Sequence, residues 1–238
     1  MIRRISVPMA LVVLTITSCG FGPSGGQDAT EEKADRAFQE QINNWLSVGK
    51  NLNEPQLADS VHSDYPLVLA AASCLEESMG FLLSHGADAK VISRSSGLSS
   101  LDYVAIGTLC SDDRAARMAE LLLDHGADVG YRQPNGNTAL FEAFDENHSK
   151  LARVLIEHGA DLNAENANGM TPLQLAALYG RKEIAELLIN HGSDVNARDS
   201  HGNTALAFCE MGMRAADAKS SNRDFEGTMK LLQEHGAQ

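Results

Sequence analysis

The 238-residue sequence predicts an all-α solenoid, a row of helix-turn-helix units behind a short N-terminal address. Three observations carry this expectation. A His-Gly-Ala-Asp-like string recurs around His85, His125, His158, His191 and His235, at spacings of 40, 33, 33 and 44 residues. A second string precedes each copy: Tyr65-Pro66-Leu67, Ser99-Ser100-Leu101, Thr138-Ala139-Leu140, Thr171-Pro172-Leu173 and Thr204-Ala205-Leu206. Aromatic residues make up only 5% of the chain, so aliphatic and small side chains must fill its core. Self-similarity at a fixed period marks units that bury their apolar faces only against one another.

The chain begins with Arg3 and Arg4, followed by an apolar run over 5–16 broken by Ser6, Pro8 and Thr15. That run is too short for a mature membrane-spanning helix and reads as a signal segment. Ile16-Thr17-Ser18-Cys19 resembles the bacterial lipoprotein signal. The resemblance implies removal of residues 1–18 and acylation of Cys19, several chains giving durable attachment. An ordinary signal peptide with a chance Cys, or an uncleaved anchor, is the alternative. Gly20 stands where an inner-membrane retention signal has Asp, so the resemblance implies the outer membrane, facing the periplasm. Residues 19–29 read as a flexible tether through Gly20-Phe21-Gly22-Pro23-Ser24-Gly25-Gly26. Lys+Arg is 19 and Asp+Glu 32, giving −13; without Arg3 and Arg4 the balance is 17 − 32 = −15. So acidic a chain argues against nucleic acid as a partner, since phosphate binding needs clustered Lys and Arg.

Residues 30–59 read as an N-terminal capping helix and loop. The helix is expected over 30–48, with Glu31 and Glu32 suited to its N-terminal dipole. Glu32, Lys33, Asp35, Arg36, Gln39 and Glu40 supply the polar outer face an end unit needs. Leu46, Gly49 and Asn53 match the later units position by position.

Residues 60–238 hold the repeats, and the clearest contains Thr171. Thr171 can cap an inner helix, with Pro172 in the first turn, where a missing N–H is harmless. Ala176 and Ala177 let neighbouring inner helices approach. Ile184, Leu187 and Leu188 form the stripe of an outer helix. Gly192 ends that helix and 194–202 turns the chain into the next unit. The pattern resembles the ankyrin repeat, which implies five repeats joined by short β-hairpin loops. That family's His after Pro-Leu is replaced here by Val68, Asp102, Phe141, Gln174 and Ala207, which leaves open the hydrogen bonding at this turn. Twenty positions separate Ala105 from His125, and twenty-five separate Glu210 from His235, against fourteen from Ala177 to His191. Both insertions are expected between inner and outer helix, the last inner helix running to Lys219 and breaking at Ser220. They read equally as part of a binding rim or as tolerated loop growth.

Catalytic chemistry finds no support. The sequence lacks Gly-x-Ser-x-Gly, His-Glu-x-x-His, a phosphate loop and a dinucleotide fingerprint. No cofactor or small-molecule substrate is expected. His125, His158 and His191 occupy successive units, roughly 8–10 Å apart, too wide to share a metal held at about 2 Å. They are expected to close helix ends. Asp112-Asp113 and Asp145-Glu146 read as solvated pairs in turns. Cys209 is expected to be a small buried core residue. Cys74 and Cys110 fall at corresponding turns of neighbouring units, and in an oxidising compartment they are expected to pair. Three free thiols besides Cys19 are the alternative.

The family resemblance implies a protein partner held by hairpin tips and exposed inner-helix residues. These are Leu98, then Pro134, Asn135, Asn137, Asp145 and Glu146. Asn168, Met170, Leu178 and Tyr179 follow in the fourth unit, and His201, Asn203 and Met211 in the fifth. Leu178 and Tyr179 are the expected centre, unless Tyr179 packs on an adjacent inner helix. The implied role is a lipid-anchored periplasmic binder that restrains an envelope enzyme or toxin. It resembles immunity proteins against injected effectors such as lipases. The alternative is an adaptor that localises or stabilises a resident periplasmic enzyme.

Overall fold

Among the described residues, the side chains of Ser99, Ser111, Thr171 and Asp224 cap helix starts, whereas Thr138 makes no such bond. The computed structural model describes residues 27–55, 64–107, 110–146, 148–215 and 223–237. Among them, α1 (Gln27–Ser47) precedes five helix pairs. These are α2 (Pro66–Ala72) with α3 (Glu76–Ser84), α4 (Ser100–Ile106) with α5 (Asp112–Asp124), and α6 (Ala139–Asp145) with α7 (Ser149–Glu157). The last two are α8 (Pro172–Leu178) with α9 (Lys182–Asn190), and α10 (Ala205–Ala215) with α11 (Phe225–Glu234). The inner helices α2, α4, α6, α8 and α10 stack in that order, and α1 leads the outer row of α3, α5, α7, α9 and α11. This is the expected all-α solenoid. Helix α1 starts three residues before Thr30, so Gln27 to Ala29 are helical rather than tether.

Thr171 accepts from the Gln174 N–H while the Gln174 side chain accepts from the Thr171 N–H, a reciprocal cap. Ser99 and Asp102 repeat the device at α4. At the other end, Nδ1 of His85, His125, His191 and His235 donates to the carbonyl four residues back, at 2.8, 2.8, 2.8 and 2.9 Å. The lost helix-end bonds are thereby restored in part. Gly192, at φ +94, then turns the chain out of α9.

The core runs the length of the stack. Leu67, Leu101, Leu140 and Leu173 are each 1% exposed, and Ala176 and Ala177 lie at 0%. Phe141 and Phe144 put the aromatic volume into the third repeat. Between repeats the described residues contain no strand. Among the described residues the expected β-hairpins are reduced to isolated bridges, such as the antiparallel pair Ile92 and Ser99, and to tight turns. Two backbone bonds close each of three such turns: the Gln133, Asn166 and Asp199 N–H groups donate to Asn137 O (2.9 Å), Met170 O (3.0 Å) and Asn203 O (3.1 Å), and the Gly136, Gly169 and Gly202 N–H groups donate back to Gln133 O (2.8 Å), Asn166 O (2.9 Å) and Asp199 O (3.0 Å).

The second-repeat insertion falls differently from expectation, while in the fifth repeat the inner helix runs on as expected. Helix α5 has 13 residues where α9 has 9, a gain of 13 − 9 = 4. Most of the second-repeat insertion therefore adds one turn to the outer helix, as a 3.6-residue period favours. In the fifth repeat α10 has 11 residues where α8 has 7, again about one turn. Its described part runs to Ala215; the expected continuation to Lys219 and the break at Ser220 lie outside the described residues.

Candidate protein-binding surface

Each interrepeat turn presents a tip built by short-range bonds. Asn135 Oδ1 accepts from the Asn137 N–H (2.9 Å), and Asn166 Oδ1 accepts from those of Asn168 (2.9 Å) and Met170 (3.1 Å). Asp199 accepts from the His201 (2.9 Å) and Asn203 (2.7 Å) N–H groups. Burial alone would raise the Asp199 carboxyl, but these bonds and that from the Asn203 side chain hold it below the ordinary value. Short polar side chains here replace the ladder of a hairpin.

Successive tips lie against one another. A Cβ on Gly97 would come 2.8 Å from Pro134. A Cβ on Gly136 would come 3.0 Å from the Ala167 nitrogen, and one on Gly169 3.0 Å from that of Ser200. All three glycines have positive φ. Bonds cross the same gaps: the Tyr131 hydroxyl donates to Gly97 O (2.6 Å), Arg132 to Glu165 O (2.6 Å) and Ser200 to Asn168 O (3.2 Å). The tips form a fixed row, and a fixed row loses little freedom on binding.

Pro134, Asn135, Asn168, His201 and Glu146 are exposed on this side, with Asn137, Met170 and Asn203 half-buried. Met211 is 38% exposed. Nothing is described of the Asp145 side chain. Three expected contact residues are not open. Leu98 is 7% exposed, its carbonyl accepting from Ser93 within its own turn. Leu178 and Tyr179 are half-buried against the core, and α10 continues past Leu178 with Gly212. A Cβ on Gly212 would lie 2.1 Å from Leu178 O. The extra turn of α10 covers what a seven-residue inner helix would have exposed. The inner helices contain Arg214 as their single base and no Lys, against Asp102, Glu142, Asp145 and Glu210.

The absent family His has substitutes. Gln174 Nε2 donates to Ala197 O (2.9 Å) and Asn203 O (3.1 Å) of the next repeat. Asp102 instead accepts from Gln133 Nε2 (2.9 Å). Asp102 is 1% exposed, and its burial raises the carboxyl above its ordinary value despite bonds from Ser99 and Gln133.

Of the other expected roles, that of Asp112 changes while those of the cysteines hold. Asp112 is no idle solvated acid: it accepts from the Lys150 and Leu151 N–H groups of α7, each at about 3.1 Å. Asp35 of α1 does the same for Glu77 (3.0 Å) and Ser78 (2.8 Å) of α3. These cross-repeat caps carried no local signal, since cap and helix lie about one repeat apart in sequence. Cys74 and Cys110 form a disulfide between the first two repeats, Cα atoms 5.6 Å apart. Cys209 is fully buried, donates to Phe225 O (3.3 Å), and its thiol is pushed by burial to about 11. No cluster of His, Cys, Asp and Glu among the described residues could hold a metal.

A rigid row of tips above stacked helix pairs defines a protein-interaction solenoid. The family described as Ankyrin repeats (3 copies) matches residues 67–166, 108–199 and 163–216. Those matches run together from 67 to 216, more than half of the 238 residues, and the chain belongs to the ankyrin-repeat family. No curated protein matches it.

Proposed function

We propose that this ankyrin stack is a lipid-anchored periplasmic module that binds and restrains an envelope enzyme or toxin, as an immunity protein does. The supporting observation is the packed row of tips from Gly97 to Ser200, a surface already ordered before a partner arrives. The chain's net charge of −13 suits a basic partner and favours fast encounter. Cys19 supplies the anchor. It lies eight residues before α1, so the stack hangs by its capped end within about 28 Å of the membrane surface. An adaptor that holds a resident enzyme would use the same surface.

The test is capture from solubilised envelopes, compared with a variant carrying Asn135→Lys, Asn168→Lys and His201→Lys. These residues are exposed, so the fold is kept while a basic partner is repelled. Loss of one enriched protein supports the reading; unchanged capture removes it. A deletion strain killed by its siblings supports immunity, whereas loss of the captured enzyme's activity supports the adaptor. Fatty-acid labelling that persists in Cys19→Ser removes the anchor.

A further inference from the structure

The first and last described repeats are finished differently. At the first, α1 lies over α3 and Asp35 caps it. At the last, no described element lies over α10. The contrast is quantitative at equivalent positions. Leu67, Leu101, Leu140 and Leu173 are each 1% exposed, yet Leu206 is half-exposed. Val68, Asp102, Phe141 and Gln174 are at most 1% exposed, yet Ala207 is half-exposed. Ala71, Ala105, Phe144 and Ala177 are at most 1% exposed, yet Glu210 is open. In the outer row Met79, Ala119, Ala152 and Ala185 are at 0%, and Met229 is half-exposed.

End repeats of solenoids need a polar outer face. This one keeps interior residue types. Met211 and Met213, at 38% and 39%, are two of the three exposed large apolar side chains among the described residues. Leu206, Ala207, Glu210, Met211, Met213 and Arg214 share one open face of α10, since Ala205, Phe208, Cys209 and Gly212 turn inward.

We propose that this face is a homodimer interface, in which a second copy of the chain lays its own α10 antiparallel on this one about a two-fold axis near Gly212. The occupant follows from the charges and the seams. Glu210 and Arg214 stand four residues apart, 3.4 Å from each other within one chain. An antiparallel two-fold crossing sets Glu210 against the partner's Arg214, and Arg214 against the partner's Glu210. The face is thus self-complementary, as an isologous contact requires. The chain as a whole carries −13, which drives copies apart, but on this face one acid is matched by one base. In the internal seams these same positions are covered by a neighbouring inner helix, so a helix is the shape that fits. The first end is capped, so association closes at two rather than extending into a fibre.

Sedimentation velocity of the full chain in detergent, over a concentration series, tests this. The wild type is expected to sediment as a dimer that dissociates on dilution. Glu210→Arg places like charges across the axis, as does Arg214→Glu, and each alone is expected to give a monomer. The combined variant is expected to restore the dimer. Met213→Asp is expected to give a monomer with unchanged helical content. A wild type that stays monomeric throughout overturns the proposal. So does a dimer that both single reversals leave intact.

Discussion

Cys74 holds φ +57, the one non-glycine among the described residues on the left-handed side of the backbone map. It stands nine residues after Tyr65, as Gly180, at φ +62, stands nine after Thr171. A side chain in that conformation costs about 1–2 kcal/mol, which the bond to Cys110 offsets. Cys74→Gly loses the bond and the strain together, whereas Cys110→Ala loses the bond and keeps the strain. Urea titration under oxidising conditions should therefore find Cys110→Ala the less stable, by roughly 1 kcal/mol; the reverse order would refute the reading. Asp102 gives a second residue-scale prediction. Its carboxyl is raised in the folded chain by burial, so folding favours the protonated form. Its contribution is greatest below the unfolded value and is lost as pH rises through the folded one. Asp102→Asn keeps a side-chain oxygen for the Ser99 N–H, and Gln133 can turn its own oxygen to the new amide. The stability of Asp102→Asn relative to wild type should rise with pH across that window and level off above it. A flat difference from pH 4 upward would rule this out. Pairing of the cysteines could be posed from sequence because both fall at the same turn of adjacent repeats. The burial of Leu98 could not, since it depends on a tip folding back on itself.

Within single elements, the stack reads its glycines in opposite ways. Gly80 lies inside α3 and a Cβ there meets nothing within 4 Å. Gly212 lies inside α10, where a Cβ would come 2.1 Å from Leu178 O and 2.6 Å from Phe225. Gly80→Ala should stabilise by roughly 0.5–1 kcal/mol through backbone entropy alone. Gly212→Ala should destabilise by about 1–3 kcal/mol or more, because the obstacle is backbone and cannot rotate away. Chemical denaturation measures both, and equal effects would show that α8 and α10 are not in close contact. The same contact explains why Leu178 and Tyr179 looked exposed in the sequence. A seven-residue inner helix would have left this end more open, whereas here Gly212 of α10 lies against Leu178 O and Phe225 of α11 lies against Gly180 and Gly212. Helix starts and stops such as Thr171, Pro172 and Gly192 were legible because each acts on its own turn. The caps from Asp35 and Asp112 act across repeats and left no trace in local spacing.

Across the whole molecule, the seams between units share one turn geometry but not one side chain. Two residues after each of Asn51, Asp88, Asp128, Asp161 and Asp194, a backbone N–H returns to that side chain, at 2.9, 2.9, 3.0, 3.0 and 2.9 Å. The residues so placed are Asn53, Lys90, Gly130, Asn163 and Asn196. Where Asn stands, it reaches into the next unit. Asn53 donates to Gly86 O (3.1 Å) and accepts from the Asp88 N–H (2.7 Å). Asn163 accepts from the Asp194 N–H (3.1 Å), and Asn196 donates to Gly236 O (3.2 Å). Lys90 and Gly130 make no such carboxamide bridge, so the seams on either side of the second repeat rely on other links. The first has the Cys74–Cys110 disulfide and the paired bonds from Arg117 to Glu76, and the second has the Asp112 cap on α7. Reduction should therefore lower hydrogen-exchange protection in α2 to α5 while sparing α8 to α11, because neighbouring units stabilise one another only locally. Completing the ladder tests the same logic from the other side. Gly130 has an ordinary φ and only Asp128 near its Cβ position, so Asn fits there without strain. Lys90→Asn and Gly130→Asn should each stabilise by roughly 0.5–1.5 kcal/mol, one net hydrogen bond. The gain from Lys90→Asn should grow when the disulfide is reduced, since the new bridge then supports a seam that has lost its covalent link. If Lys90→Asn is neutral in both redox states, the Asn bridges are consequences of stacking and not a cause of it.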